Sequence, residues 1–426
     1  PISAISVRNS STSKSLVCVT WSSVIVHIEG VPIPARKDGY SHATVVDASA
    51  PPSTRLLAAA DDGPDAPAAA YPLVTVCVVA HNPGAWFDEV LRSLLAQDYP
   101  SLDVVVVDAA SGEAVAPRVH AVIPEATVVP LLANQGFAKN ANTILEHPGL
   151  GSYLLICHDD VALAPDCIRR LVEETLRSNA GVVGPKLLDW DDPNRILHVG
   201  LGADKTGLVS DLAEPGEYDQ EQHDAVRDVF AVPGAVTLLR TDLFQALQGF
   251  DEAILVQGED LDLCWRAHAL GARVLVNPAA TARHREDLST RIVGADRDKF
   301  SRRHRIRSML SNYGFAHTVR VLPQAIMASI VNAVLALLQG RLSVVYDIAA
   351  AWGWNLRRLS QIHRRRRQLS AIRQISDAEV RALQLPGFEG LHAWRRRRAD
   401  RRAHIVVSAD DPASVEAAAD RKRWFQ

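Results

Sequence analysis

Four short apolar runs, rich in β-branched residues, recur between residues 73 and 160, and polar residues follow each. They are LVTVCVVA (73–80) before His81-Asn82-Pro83-Gly84, LDVVVVDAASG (102–112), ATVVPLL (126–132) before Asn134, and YLLICHDD (153–160). Apolar runs of this length without alternation are buried strands of a parallel sheet. Between them, DEVLRSLLAQ (88–97), the stretch from Phe137 to Leu145 and DCIRRLVEETLRSN (166–179) carry the three-and-four spacing of helices. Strands alternating with helices predict an α/β fold, and ligands of such sheets sit at the carboxyl ends of the strands. His81-Asn82, Asp108 and His158-Asp159-Asp160 gather at those ends.

Further along, the pattern is less regular. Residues 181–190 and 228–240 read as strands, 241–252 as a helix ending in a turn, 255–271 as a loop becoming a helix, and 272–287 as a strand running into a loop. Beyond Phe300 the chain reads as mainly helical. Residues 321–338 are the most apolar stretch, just long enough to span a bilayer but interrupted by Gln324 and Asn332, which favours a buried or interfacial helix over a span. At the other end, residues 15–34 predict short strands, and the Ala/Pro/Asp-rich stretch 51–72 reads as a linker after a poorly defined segment 1–50. The chain opens at Pro1 with no charged-then-apolar leader.

Composition sharpens this outline. The 426 residues hold five scattered cysteines with no CxxC pair, which disfavours a disulfide scaffold or zinc ribbon and suggests a reducing compartment. Residues 1–300 carry 40 of the 49 acidic residues, whereas residues 301–426 carry 23 of the 46 basic ones and only 9 acidic. That acidic body and arginine-rich tail, with the runs Arg364–Arg367 and Arg395–Arg398 beside tryptophans, point to an anionic membrane surface. No nucleic-acid partner is expected, because no recognisable binding module accompanies the charge.

Several chemistries are excluded by motif. The first strand is followed by AHNPGAW rather than GxGxxG, and no Walker GxxxxGK[ST], HExxH or GxSxG occurs. What remains is a set of acidic groups at strand ends: the strand VVVVD, NQGFAKNAN (134–142), CHDDVAL, VPGAVTLLRTDLF with GFDE, and GEDLDLCWR. In this order and spacing, residues 73–315 resemble an inverting GT-A-fold glycosyltransferase of family 2, nearest its rhamnosyl- and galactofuranosyl-transferase branches. The implied fold is a mixed, mostly parallel sheet flanked by helices, followed here by a helical, arginine-rich membrane-associating region (316–426).

The resemblance implies roles for individual residues. The family's DxD metal motif falls on His158-Asp159-Asp160, with histidine in place of the first acid; Asp160 then ligates Mg²⁺ or Mn²⁺ with His284 and His158, while Asp159 contacts ribose. Asp260 matches the catalytic base, and Glu259 holds acceptor hydroxyls or orients Asp260. His81, Asn82 and Asp108 match positions contacting base and ribose, with Asp108 accepting from a uracil or thymine imide. Asn134, Gly136, Lys139 and Asn142 match a nucleotide-contacting stretch, and Gly234 a loop beside the sugar. Arg266 is grouped with the substrate-binding positions, though pairing with a nearby acid is its more natural role. Trp190, Trp265 and His198 are candidates for the acceptor cleft, with core packing the safer expectation for the tryptophans. Absence of QxxRW after the acidic motif implies transfer of one or a few sugars. The implied partners are a UDP- or dTDP-sugar donor and a glycan or polyprenyl-linked acceptor at the cytoplasmic face of the cell membrane, peripherally or within a longer membrane protein. The rivals are a metal-dependent hydrolase and a catalytically silent binding scaffold.

Overall fold

The computed structural model describes residues 19–20, 23–24, 71–286 and 294–386. The linker expected at 51–72 falls almost wholly outside these residues, and the arginine run 395–398 does so entirely. The first of two structural units contributes a short antiparallel pair, β1 (Val19–Thr20) and β2 (Ser23–Val24), within the stretch predicted to form short strands.

The second unit is built on a ten-stranded mixed sheet. Its first half follows the predicted alternation: β3 (Val74–Ala80), α1 (Phe87–Leu95), β4 (Leu102–Asp108), α2 (Ala116–Val122), β5 (Thr127–Pro130), α3 (Phe137–Asn142) and β6 (Tyr153–His158). β3 lies between β4 and β6, parallel to both, and β5 extends the sheet beyond β4. All seven residues of β3 are buried. Alternate side chains serve opposite faces: Val74, Val76 and Val78 pack with Phe87 and Leu91, while Cys77 and Val79 pack with Ile144 and Ile156.

The other half is assembled from β7 (Val161–Leu163), α4 (Cys167–Ser178), β8 (Val182–Asp189), β9 (Ile196–His198), β10 (Leu201–Ala203), β11 (Val209–Asp211), β12 (Arg227–Asp228), β13 (Val236–Arg240), α5 (Thr241–Ala246), α6 (Glu259–Ala269) and β14 (Val274–His284). The single strand expected over 228–240 is two strands, β12 and β13. Pro233 lacks the N–H a ladder needs, so the chain breaks there into a loop. β13 runs antiparallel to both β6 and β8. β14 is longer than expected and carries a bulge between Asn277 and Thr281. It runs parallel to β8, and its last residues pair antiparallel with β7, setting His284 opposite Val161.

Among the described residues five helices follow: α7 (Gly294–Asn312), α8 (Phe315–Leu338), α9 (Leu342–Leu356), α10 (Leu359–Ile372) and α11 (Asp377–Ala382). A separate cluster of Trp265, Tyr313, Ile306, Met309, Val321, Ile362 and Val380 joins α7, α8, α10 and α11 to α6. Trp265 is wholly buried there, edge-on to Phe230 and to Tyr313 at centroid distances of 5.5 and 4.8 Å, so it belongs to the core and not to an acceptor cleft. Trp190 is also buried.

Of the two alternatives expected for α8, a buried or an interfacial helix, the buried one does not hold. Its 24 residues have a mean hydropathy of 2.0 over the most apolar window, of which only 22% is buried. Small residues (Ala325, Ser329, Ala336) face inward, with Trp352 Nε1 donating to Ser329 Oγ at 3.1 Å. Met327, Ile330, Val331, Val334 and Leu338 face outward. By length and composition this helix passes the test for a membrane span.

Trp265→Ala opens a cavity at the joint between α6 and the C-terminal helices. It should lower stability by about 3–5 kcal/mol, read as a lower urea midpoint at unchanged slope.

Candidate active site

The parallel register of β3, β4 and β6 brings their carboxyl ends level, with Val79 beside His158 and Ala80 beside Asp108. Just past those ends His81 N donates to Asp159 Oδ2 at 3.0 Å, and its Nδ1 lies 2.8 Å from Ala109 O. Asn82 takes a left-handed conformation (φ 47°) and its Oδ1 accepts from Gly112 N at 2.7 Å. A cleft of about 680 Å³ opens here, lined by His81, Asn82, Asn134, Gly136, His158, Asp159, Asp160 and Glu259. Trp86, Phe137, Asn140, Leu255, Val256 and Phe300 also line it.

Other candidate residues are placed elsewhere. Asp108 is buried, and its oxygens accept from Ser111 N (3.0 Å) and Val115 N (3.4 Å) of its own loop. Lys139 lies 3.7 Å from Glu252 and lines a different cleft. Asn142 clamps residue 250, accepting from Phe250 N at 2.8 Å and donating to Phe250 O at 3.1 Å. Arg266 is buried with Asp262, donating from Nε at 2.8 Å and from Nη1 to the carbonyls of Leu247 and Gly249, so it does not reach the cleft. A polar residue not anticipated is Asn140. It donates to Asn134 Oδ1 (2.9 Å) and accepts from Gln135 N (3.2 Å), tying the loop to α3. The signal was available, since Asn140 stands one helical turn after Gly136 and Asn142 does not.

Gly136 caps the start of α3 at φ +92°, where a Cβ would meet Leu255 O at 2.6 Å. Phe137 N donates to the same carbonyl at 2.9 Å. The 134–140 loop is therefore fixed against residue 255, which leads into the acidic helix.

That helix, α6, starts after Gly258 in a left-handed turn (φ +99°) and carries Glu259 and Asp260 in its first turn. Gly234 leaves room for them: a Cβ there would lie 3.0 Å from Glu259 Oε1. Asp260 accepts from Leu261 N at 2.7 Å and from Gly234 N at 3.4 Å. Burial raises both carboxyl pKa values. For Asp260 the two backbone donors and His198 oppose that rise, whereas Glu259 also faces the Asp260 charge and is pushed up to about 8. The two carboxyls therefore titrate as a pair, both displaced upward, with Glu259 the more strongly opposed to ionising. His198 sits 2.5 Å from Asp211 and 3.6 Å from Glu286. Burial alone would depress its pKa, but these carboxylates lift it to about 9.

The β7–β14 pairing completes the charged end of the cleft. His284 Nε2 lies 3.4 Å from Asp160 Oδ1, and His158 Nδ1 lies 3.8 Å from the same oxygen. One ligand atom from each of these three residues falls within 4.8 Å of the others. Among the described residues neither ring nitrogen of His284 has a hydrogen-bond partner, although the side chain is buried. Two imidazoles and a carboxylate in this arrangement fit a divalent ion of the Mn²⁺ type.

Comparison with known proteins identifies the family. Residues 72–309 match the profile described as "Glycosyltransferase like family 2". The chain is 28% identical over 236 residues to the O-antigen biosynthesis protein RfbC of Myxococcus xanthus, covering 53% of this chain but 18% of that protein. It is 25% identical over 248 residues to an N-acetylglucosaminyl-diphospho-decaprenol L-rhamnosyltransferase of Mycobacterium tuberculosis, covering 51% and 78% of the two chains. With the succinoglycan biosynthesis protein ExoO of Rhizobium meliloti it shares 29% over 213 residues, covering 49% and 59%. Among solved structures, a mannosyltransferase from Pyrobaculum calidifontis in complex with GDP-Man and Mn²⁺ superposes with a TM-score of 0.42 at 18% identity, covering 75% of this chain and 91% of the other. The profile match spans more than half of the sequence and the whole strand-end cleft, and on that ground the chain belongs to glycosyltransferase family 2.

Proposed function

We propose that the protein transfers a sugar, with inversion, from a UDP- or dTDP-sugar to a hydroxyl of a polyprenyl-linked or cell-envelope glycan at the cytoplasmic membrane face. The observation that carries this reading is that Glu259, at the start of α6, lines one cleft with His158 and Asp160, while Asp260 follows Glu259 in the chain and His284 lies 3.4 Å from Asp160. Single displacement needs one base and no enzyme nucleophile. Asp260, whose carboxylate accepts from two backbone N–H groups, takes the acceptor proton as that hydroxyl attacks the anomeric carbon. Glu259, neutral below its raised pKa of about 8, donates a hydrogen bond to an acceptor hydroxyl. The positive charge of His198 favours the ionised form of Asp260, against the burial that raises its pKa. A divalent ion held by His158, Asp160 and His284 would neutralise the charge growing on the departing diphosphate.

The relatives support the substrate class. The mycobacterial relative is named for a diphospho-decaprenol acceptor and a rhamnosyl donor group, and the others for surface-polysaccharide synthesis. The exposed apolar face of α8 supports work at a membrane.

Asp260→Asn should leave nucleotide affinity within about twofold by calorimetry while transfer falls by about 10²–10⁴; unchanged turnover defeats the assignment. Glu259→Gln preserves a neutral side chain, so its pH–rate profile should overlay the parent below pH 8 and separate above it, where Glu259 ionises. A large loss at pH 6.5 excludes the protonated role. His284→Ala and Asp160→Asn should each weaken Mn²⁺ binding at least tenfold, followed by electron paramagnetic resonance in the absence of donor.

A further inference from the structure

A second cleft, of about 500 Å³, lies between the 248–253 loop and helices α7 and α10. Its cations are Lys139, Arg307, Arg364 and Arg365, and its carboxylates are Asp251 and Glu252. Arg307 has a side chain only 3% exposed and holds Asp251 through Nε (2.7 Å) and Nη2 (3.0 Å). Its Nη1 has no hydrogen-bond partner among the described residues. Arg365 approaches Asp251 at only 3.8 Å, and its Nε and Nη2 likewise lack hydrogen-bond partners among those residues. Burial, and then the charge of Arg266, works against its positive charge. Buried guanidinium groups left short of acceptors are costly, and a phosphoryl group offers the planar, multiple acceptance that satisfies them.

The cleft does not end at the arginines. Gln248, Arg365 and Gln368 also line an adjoining cavity of about 230 Å³, whose other walls include Leu247, Leu369 and Ile372. A charged compartment thus adjoins an apolar one at Arg365, which suits a ligand with a phosphate at one end and hydrocarbon at the other. A nucleotide sugar has no such hydrocarbon end.

We propose that this two-part groove binds a lipid phosphate or diphosphate, with the phosphoryl oxygens on Arg307, Arg364 and Arg365 and the first part of the chain against Leu247, Leu369 and Ile372. The proposal deepens the reading of a lipid-linked acceptor, and rests on that reading only for the identity of the lipid as acceptor.

The test is calorimetric titration of the full chain in non-ionic detergent with farnesyl diphosphate, inorganic diphosphate and UDP, in the parent and in the R364Q/R365Q double variant. Farnesyl diphosphate should bind the parent at least tenfold more tightly than the variant and at least tenfold more tightly than inorganic diphosphate does, with UDP affinity equal in both proteins. Equal farnesyl diphosphate binding in parent and variant, or none in the parent, overturns the groove. Inorganic diphosphate binding as tightly as farnesyl diphosphate overturns the lipid assignment, and a loss of UDP affinity in a folded variant reassigns the arginines to the donor. Should the double variant not fold by circular dichroism, R364E at the exposed position carries the same comparisons. Absence of UDP binding in the parent counts against the donor site alone, and so separates failure of the enzyme reading from failure of the groove.

Discussion

A helix enclosed on every side must settle its charges within the protein, and α6 is such a helix: ten of its eleven residues are buried. Its body binds the structure together. Leu263, Cys264 and Ala267 face the sheet core, Leu261 and Trp265 face the C-terminal helices, and Asp262 joins Arg266 on one side and Asn312 of α7 on the other, at 3.0 Å. Its first two residues have no such cation among the described residues. There Asp260 accepts from backbone N–H groups, with a weaker influence from His198. A carboxylate ion-paired inside the helix is structural, while burial raises the pKa of each member of the pair at its start. Under the proposed reading the same element supplies both rigidity and the proton acceptor.

This contrast explains what the sequence could and could not disclose. The buried strands were legible because residues such as Val76 and Val105 to Val107 leave no polar face, and the acidic tips followed from the rule that parallel strands end at the ligand. The apposition of His284 with Asp160 was different. It depends on β7, three residues long, pairing with the end of a strand over a hundred positions later, and no local pattern specifies such a pairing. Register also decides Asn140 over Asn142, because one helical turn selects which amide faces the cleft.

Some of the expected site residues already have partners within the protein. Asp108 stands at the correct strand end, but a loop with two backbone donors claims its oxygens. Lys139 lies 3.7 Å from Glu252, and Arg266 lies 2.8 Å from Asp262. Motif position indicates the neighbourhood of a side chain; its hydrogen-bond partners decide what remains free to touch a ligand. The outward apolar face of α8 is the reverse case. Hydropathy gave the helix, while only the packing of its small residues against α9 shows which face is left exposed among the described residues.

The contact between Gly136 and the Leu255 carbonyl has a historical consequence. Two segments separated by more than a hundred residues share one backbone hydrogen bond with no space for a methyl group between them. Neither segment can drift in shape alone: a descendant that lengthens one loop must rebuild the other in the same step. Novelty in substrate choice is thus more accessible at the outer walls of the cleft, such as Trp86 and Phe300, than along this seam.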